Sequence, residues 1–305
     1  MVPMTTEGPS FASAAAPSRA RRVATWLHAR PRTQLRLLLA APLLWLVLVY
    51  VGSLAILLLN AFWTSDSFTG KVNPFDWSLD AFVQIFSNDV YRTIAVRTLG
   101  MAVLVTVTAA LLAFPIAYYM ARVASPRMRR LLVVAVLMPL WASYLVKIFA
   151  WRTILQGNGV LAWVLSPFGI SGPGTDELMN SWLVFTYLWL PYMILPIYAG
   201  LERVPSSLLE ASADLGARAG TTFRRVVLPL VIPALVAGSI FTFSLTLGDY
   251  IVPDLVSDAK FIGNVIYDNS ALGQFPVAAA YSMLPILIVV GYLLVARRLG
   301  AFESL

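Results

Sequence analysis

Glu210-Ala-Ser-Ala-Asp-Leu-Gly216, followed by Leu228-Pro229, is a polar stretch held between two long apolar runs, one ending near residue 201 and the next beginning near residue 230. Pro205 interrupts the chain after the first run, and Ser207-Leu-Leu-Glu210 has the spacing of a capping box, in which each side chain satisfies an orphan amide of the other residue. The spacing predicts a short helix starting at Ser207. Leu208, Ser212 and Leu215 then share one face, and Gly216 suits the left-handed residue that ends a helix. After a second break near Gly220, Thr221 or Thr222 is expected to cap another segment running through Phe223, Arg224 and Arg225 into Pro229. The product is a helix, a turn and a second helix lying across a membrane face.

Composition supports the membrane reading. The 305 residues are 59% hydrophobic and 12% charged, with a mean hydropathy of +0.78. That is too much apolar surface for one soluble core, so lipid must take up the surplus. The net charge of +7 does not point to nucleic acid, because the basic residues sit beside apolar runs, as membrane orientation requires. The absence of cysteine excludes disulfides, thiolate metal sites and cysteine nucleophiles.

A hydrocarbon core of about 30 Å takes roughly 20 apolar residues of helix. Six stretches meet this, at about 37–62, 94–121, 131–154, 181–201, 230–251 and 277–296, giving an all-α integral membrane fold. Five carry interior prolines (Pro115, Pro139, Pro191 with Pro196, Pro233 and Pro285), which membrane helices tolerate when neighbours satisfy the freed carbonyls. Sixteen of the 22 Lys and Arg, among them Arg122, Arg129, Arg203, Arg218 and Arg224, fall before span one and after spans two, four and six. Positive loops stay inside, so both termini and the loop 202–229 are predicted to be cytoplasmic in a multi-pass protein of the cell membrane. Residues 1–36 read as a largely disordered basic tail, and residues 37–305 as the membrane domain. Arg21-Arg22 lacks the short apolar core and cleavage site of a twin-arginine signal, and an uncleaved start is expected.

The order Glu210-Ala211, then Gly216, Val226 and Leu228-Pro229, with Ser212 in place of a second Ala, resembles the "EAA" loop of permease subunits in binding-protein-dependent ABC importers. Pro139-Leu-Trp-Ala-Ser-Tyr-Leu-Val-Lys-Ile-Phe-Ala-Trp-Arg152 with Leu155-Gln-Gly-Asn-Gly159, and Leu247-Gly-Asp-Tyr-Ile-Val-Pro253 with Ile262-Gly-Asn264, are similar to segments of spermidine/putrescine importer permeases. The likeness runs from about residue 40 to the C-terminus. It implies the type I ABC importer permease fold with a cytoplasmic coupling helix. Glu210, Ala211, Ser212, Asp214, Gly216 and Arg218 would then meet a dimeric ABC ATPase, which binds ATP and Mg, while this chain holds no cofactor. A second homologous permease and an extracytoplasmic substrate-binding protein are the other implied partners. Polyamines are the implied substrate; relatives of the group move aminoethylphosphonate, iron or sulfate.

Charges inside a membrane are costly and are paired or functional. Lys147 and Asp249 fall at similar depth in the outer halves of spans three and five. The readings are an ion pair that fixes packing or a Lys147 that snorkels to the outer interface, against an Asp249 that lines the route and meets a cationic amine, with Tyr144, Tyr250 and Trp141 offering cation-π faces. Asp176, Glu177, Asp254, Asp258 and Asp268 are outer-loop acids that either solvate the surface or receive a binding protein. Trp26, Trp45 and Trp182 read as interfacial anchors, and the single histidine, His28, lies in the tail. There is no GxxxxGK[ST] phosphate loop, no metal-ligand cluster and no nucleophile with a histidine base, so a transport subunit rather than an enzyme is expected. A secondary transporter is the alternative, and it would leave the loop around Glu210 without a task.

Overall fold

The computed structural model describes residues 31–66, 71–168 and 177–299, so His28, Trp26, Asp176 and most of the basic tail lie outside the described residues. The described residues up to 57 and those from 58 onward belong to two separate units. In the first, helix α1 spans Pro31–Trp45, followed by a π turn at Leu46–Val51 and helix α2 at Gly52–Asn60, whose last residues belong to the second unit. Residues 31–36, expected in the tail, are therefore helical; the fixed φ of Pro31 suits a first helical turn. Leu38–Asn60 is a 23-residue span of hydropathy 2.5, apolar on every side, as a lipid-facing helix must be.

The second unit opens outside the expected all-α pattern. Trp63–Ser65 (β1) and Val72–Trp77 (β2) form an antiparallel hairpin, built from aromatic and β-branched residues that favour strands. Helix α3 (Asp80–Ser87) leads into α4 (Asp89–Tyr118), which Asn88 caps by accepting the Val90 amide at 2.9 Å and which a π turn at Tyr119–Val123 follows. Then come α5 (Pro126–Trp141), α6 (Tyr144–Leu155), α7 (Val160–Leu165), and α8 (Glu177–Arg203), which continues through Pro191 and Pro196. The short α9 (Ser206–Asp214) precedes α10 (Ala219–Thr222), a π turn at Phe223–Val227 and α11 (Leu228–Gly248). Helices α12 (Ile251–Val256), α13 (Ile262–Ala271) and α14 (Phe275–Arg298) complete the described chain.

Among the described residues, five helices are long and apolar enough to cross a membrane, or six if one bent pair counts as a span. That pair falls on the span expected at 131–154, which is two helices with a sharp break rather than one kinked helix. Helices α5 and α6 meet at 95°, across the extended residues Ala142 and Ser143. Pro139 removes an amide donor from the last turn of α5, which weakens the helix just before the break. The π turns also track proline. Two begin four residues after Pro42 and Pro115, and the third ends two residues before Pro229. Pro229 orphans the carbonyl of Arg225, four residues earlier and inside the widened turn; the carbonyls that Pro42 and Pro115 orphan lie ahead of their π turns, which this mechanism does not explain.

Helices α4, α8 and α11 pack against one another as the centre of this unit. One face of α4 is a stripe of fully buried small residues, Ala102, Ala109, Ala113 and Ala117, with Val105 between them. Small side chains let membrane helices approach closely, where packing rather than hydrophobicity drives association. At the α9 end of the unit, Met120, Met193, Ile197, Leu201, Val227 and Val231 form a contiguous core. Toward the α12 end, Ile148, Phe185, Leu188, Trp189, Val252 and Phe261 form another. Ala113→Leu is expected to overpack the α4 seam by about 1–3 kcal/mol, lowering the melting temperature of the detergent-solubilised subunit. Leu111→Ala, at a 68% exposed position, leaves it nearly unchanged.

Candidate functional site

The site forms where α11 stops. Beyond Gly248 the chain turns extended at Asp249, leaving amides that lipid cannot satisfy. The Asp249 carboxylate satisfies two of them: its Oδ1 accepts the backbone N–H of Ile251 at 2.9 Å and of Val252 at 3.0 Å, opening α12. Its Oδ2 accepts the hydroxyl of Tyr144, the first residue of α6. The break in span three and the break in span five thus meet at one carboxylate.

Helix α13 braces that junction. Asn264 donates through Nδ2 to the Tyr250 carbonyl at 2.9 Å and accepts the Phe261 amide at 3.2 Å. A Cβ on Gly263 would sit 2.8 Å from the Asp249 carbonyl oxygen and 3.0 Å from that of Gly248. Only glycine lets the two backbones approach so closely. Leu247-Gly-Asp-Tyr250 and Ile262-Gly-Asn264, read as separate segments in the sequence, are one structural piece.

Aromatic rings flank the carboxylate. Tyr144 stacks on Trp189 at 6.1 Å, Trp189 meets Tyr192 edge-on at 6.0 Å, and Tyr250 stacks on Tyr267 at 4.7 Å. A cleft of about 340 Å³ is lined by Trp189, Ser244, Leu245, Gly248, Asp249 and Tyr250, with Ile251. Trp189 Nε1 and Ser244 Oγ are buried with no hydrogen-bond partner among the described residues. The carboxylate, with both oxygens already accepting hydrogen bonds from the protein, still carries a charge that favours a cation beside it.

Of the residues expected here, Asp249, Tyr144 and Tyr250 come together. Trp141, at the end of α5, is 84% exposed and does not line the cleft. The Lys147–Asp249 ion pair, one of the readings left open, is not formed among the described residues. Tyr144 opens α6 after the bend and takes the carboxylate, while Lys147 lies most of a turn further along. Trp189 and Ser244 were missed. A tryptophan twelve residues into α8, far from either end of the helix, was the available signal. Of the acids expected in outer loops, Asp254 and Asp268 share Lys260 at 3.8 and 3.1 Å; Glu177 lies in the first turn of α8, where a negative charge is favoured.

The polar loop is a helix, but not one with a capping box. Helix α9 starts at Ser206 with Pro205 before it and no side-chain cap. Its other end follows the expectation: Gly216 has φ +74°, its amide donates to Ala213 O at 2.8 Å, and the Ala217 amide donates to Ser212 O at 3.0 Å. That is the Schellman pattern. Neither Thr221 nor Thr222 caps the next segment, which starts at Ala219 and runs unbroken into α11. Thr222 instead bonds Ser212 across the turn, Oγ to Oγ1 at 2.8 Å. Leu209 and Phe223 pack on the core beneath, while Leu208, Glu210, Ala211, Asp214 and Arg218 are exposed and Leu215 is 87% exposed.

Residues 113–302, which include this loop and the cleft, match the family of binding-protein-dependent transport system inner membrane components. The chain belongs to that family. It is 48% identical over 300 residues to the inner membrane ABC transporter permease protein YdcU of Escherichia coli, covering 93% of this chain and 95% of that relative. It is 30% identical over 247 residues to the spermidine/putrescine transport system permease protein PotB of Haemophilus influenzae, covering 78% of this chain and 84% of that one. Its fold is shared with a chain of a bacterial alginate ABC transporter solved in complex with an alginate pentasaccharide-bound periplasmic protein. The TM-score is 0.70 and the identity 17%, over 90% of this chain and 96% of the other. The protein is an inner-membrane permease subunit of the ABC importer class.

Two substitutions test the geometry. Gly216→Val places a β-branched residue at positive φ, costing about 1–2 kcal/mol, read as faster amide exchange in α9. Gly263→Ala drives a methyl into the carbonyls of Gly248 and Asp249 and is expected to cost about 1–3 kcal/mol, read as a lowered melting temperature of the purified subunit.

Proposed function

We propose that this permease carries polyamines of the spermidine and putrescine class, driven by ATP hydrolysis in a separate dimeric ATPase, with Asp249 on the route. The observation that carries the reading is a carboxylate held between aromatic rings in a cleft of the bundle, in a chain about 30% identical to spermidine/putrescine permeases. Protonated amines are met by a carboxylate and by the π faces of Tyr144, Trp189 and Tyr250. Asp249 keeps its place through backbone donors, so its geometry is set before substrate arrives, which limits the ordering cost of binding.

In this reading both termini and the loop 202–229 face the cytoplasm, as the arginine distribution supports. The exposed face of α9, with Glu210, Asp214, Leu215 and Arg218, docks on the ATPase, and Gly216 makes the turn that presents it. An extracytoplasmic binding protein delivers substrate to the outer ends of the helices, and a second homologous permease completes the pathway. Aminoethylphosphonate, iron or sulfate is the alternative cargo; the carboxylate disfavours the anions among them through charge repulsion.

Asp249→Asn keeps the size and the acceptor oxygen for Ile251 and Val252 but removes the charge. In proteoliposomes holding the complete importer, spermidine uptake is expected to fall about tenfold or more, as loss of a charge-assisted contact implies, with the complex recovered at normal yield. Unchanged uptake would remove Asp249 from the route; failure to assemble would make it a packing residue.

A further inference from the structure

Arg122 and Arg129 fall in the segment counted above only as positive charge, yet both guanidiniums are half-buried and committed to backbone. Arg122 leaves the π turn at the end of α4 and donates through Nη2 to the carbonyls of Leu201 and Val204, at 2.5 and 2.6 Å. Leu201 lies in the last turn of α8, where its carbonyl also accepts the Val204 amide at 3.3 Å, and Val204 is the residue just past the helix end; both carbonyls sit at the negative pole of the helix dipole. Arg129, in the first turn of α5, donates to Met120 O at 3.1 Å and Ala121 O at 3.0 Å, serving the end of α4 in the same way. Its Nη1 lies 3.3 Å from Glu202 Oε1, and Tyr198 donates to the same oxygen at 2.5 Å.

Three helix ends are therefore closed into one ring: α4 holds α8, α5 holds α4, and α8 returns to α5. Val204, whose carbonyl Arg122 holds, is two residues before the first residue of α9. The planar five-donor fork of arginine can bridge two carbonyls at once; a lysine is a point charge that cannot match it. We propose that Arg122 and Arg129 are positioning residues that lock the root of α9 to spans two and three, so that a push on α9 moves three helices as a unit instead of flexing the joint at Val204–Pro205. The function assigned to the ring rests on the coupling role proposed for the loop 202–229; its mechanical part does not.

The test uses the complete importer with Arg122→Gln, Arg122→Lys, Arg129→Gln and Glu202→Gln. Arg122→Gln is expected to keep ATP hydrolysis but lower spermidine taken up per ATP about threefold or more, the range of a lost coupling contact, with Arg122→Lys recovering part of it. Amide exchange across Leu201–Asp214 in the purified permease is expected to speed about tenfold in Arg122→Gln, as a locally opened joint requires. Wild-type exchange and wild-type uptake per ATP in both glutamine variants of the arginines would overturn the proposal. Should Arg122→Gln fail to assemble, Arg129→Gln and Glu202→Gln decide by the same two readouts. A wild-type complex without ATP-dependent spermidine uptake would defeat the functional reading alone, and the exchange measurement would still decide the ring.

Discussion

In hydrocarbon no water is at hand to pair with a backbone amide or carbonyl, so every interruption of a spanning helix must be answered by the protein itself. This chain interrupts its spans repeatedly, and the answers are side chains placed where the breaks fall. Asp249 takes two amides after α11 and Asn264 takes the Tyr250 carbonyl. At the α9 end of the bundle the same recruitment recurs: Arg122 takes the carbonyls of Leu201 and Val204, and Arg129 those of Met120 and Ala121 in the π turn after α4. Most of the polar side chains that matter here are recruited first by the backbone, and their remaining capacity is what is left for function.

That dual use explains the character of the cleft. A carboxylate placed in a bundle only to bind a cation would be mobile and costly to desolvate. Asp249 is fixed by the helix start it caps and by Tyr144, and Gly263 lets α13 press against the same junction. The 95° bend between α5 and α6 brings Tyr144 to the carboxylate. The loop around α9 is bound to the opposite kind of region, a core of methionine, isoleucine and valine that ties Leu209 and Phe223 to the spans. The exposed side of α9 is thus rigidly backed.

Membrane class, the helices long enough to span and the short helix in the polar loop were legible because each rests on a local signal: run length, the proline at 205, and a glycine suited to positive φ at 216. Asp249, Tyr144 and Tyr250 were legible as polar or aromatic groups in outer half-spans. The pairing was not. Lys147 and Asp249 match in depth along straight helices, but depth is a one-dimensional coordinate and the bend at Ala142–Ser143 redirects α6. The capping box failed for a related reason: Ser207-x-x-Glu210 satisfies the spacing, yet Pro205 already sets the chain for a helix from Ser206. Trp189 and the arginine ring were invisible because a tryptophan within a span reads as packing and a cytoplasmic arginine reads as topology. Only tertiary structure shows an orphaned indole N–H or a guanidinium bridging two helix ends.

The central claim is that an ATP-driven polyamine importer runs through this permease. Uptake of radiolabelled spermidine by cells with and without the chain, competed by excess putrescine or aminoethylphosphonate and repeated after ATP depletion, tests it most directly. The account predicts uptake that needs the chain, disappears with ATP and yields to putrescine but not to the phosphonate. Uptake independent of the chain, or competed by the phosphonate alone, would contradict it.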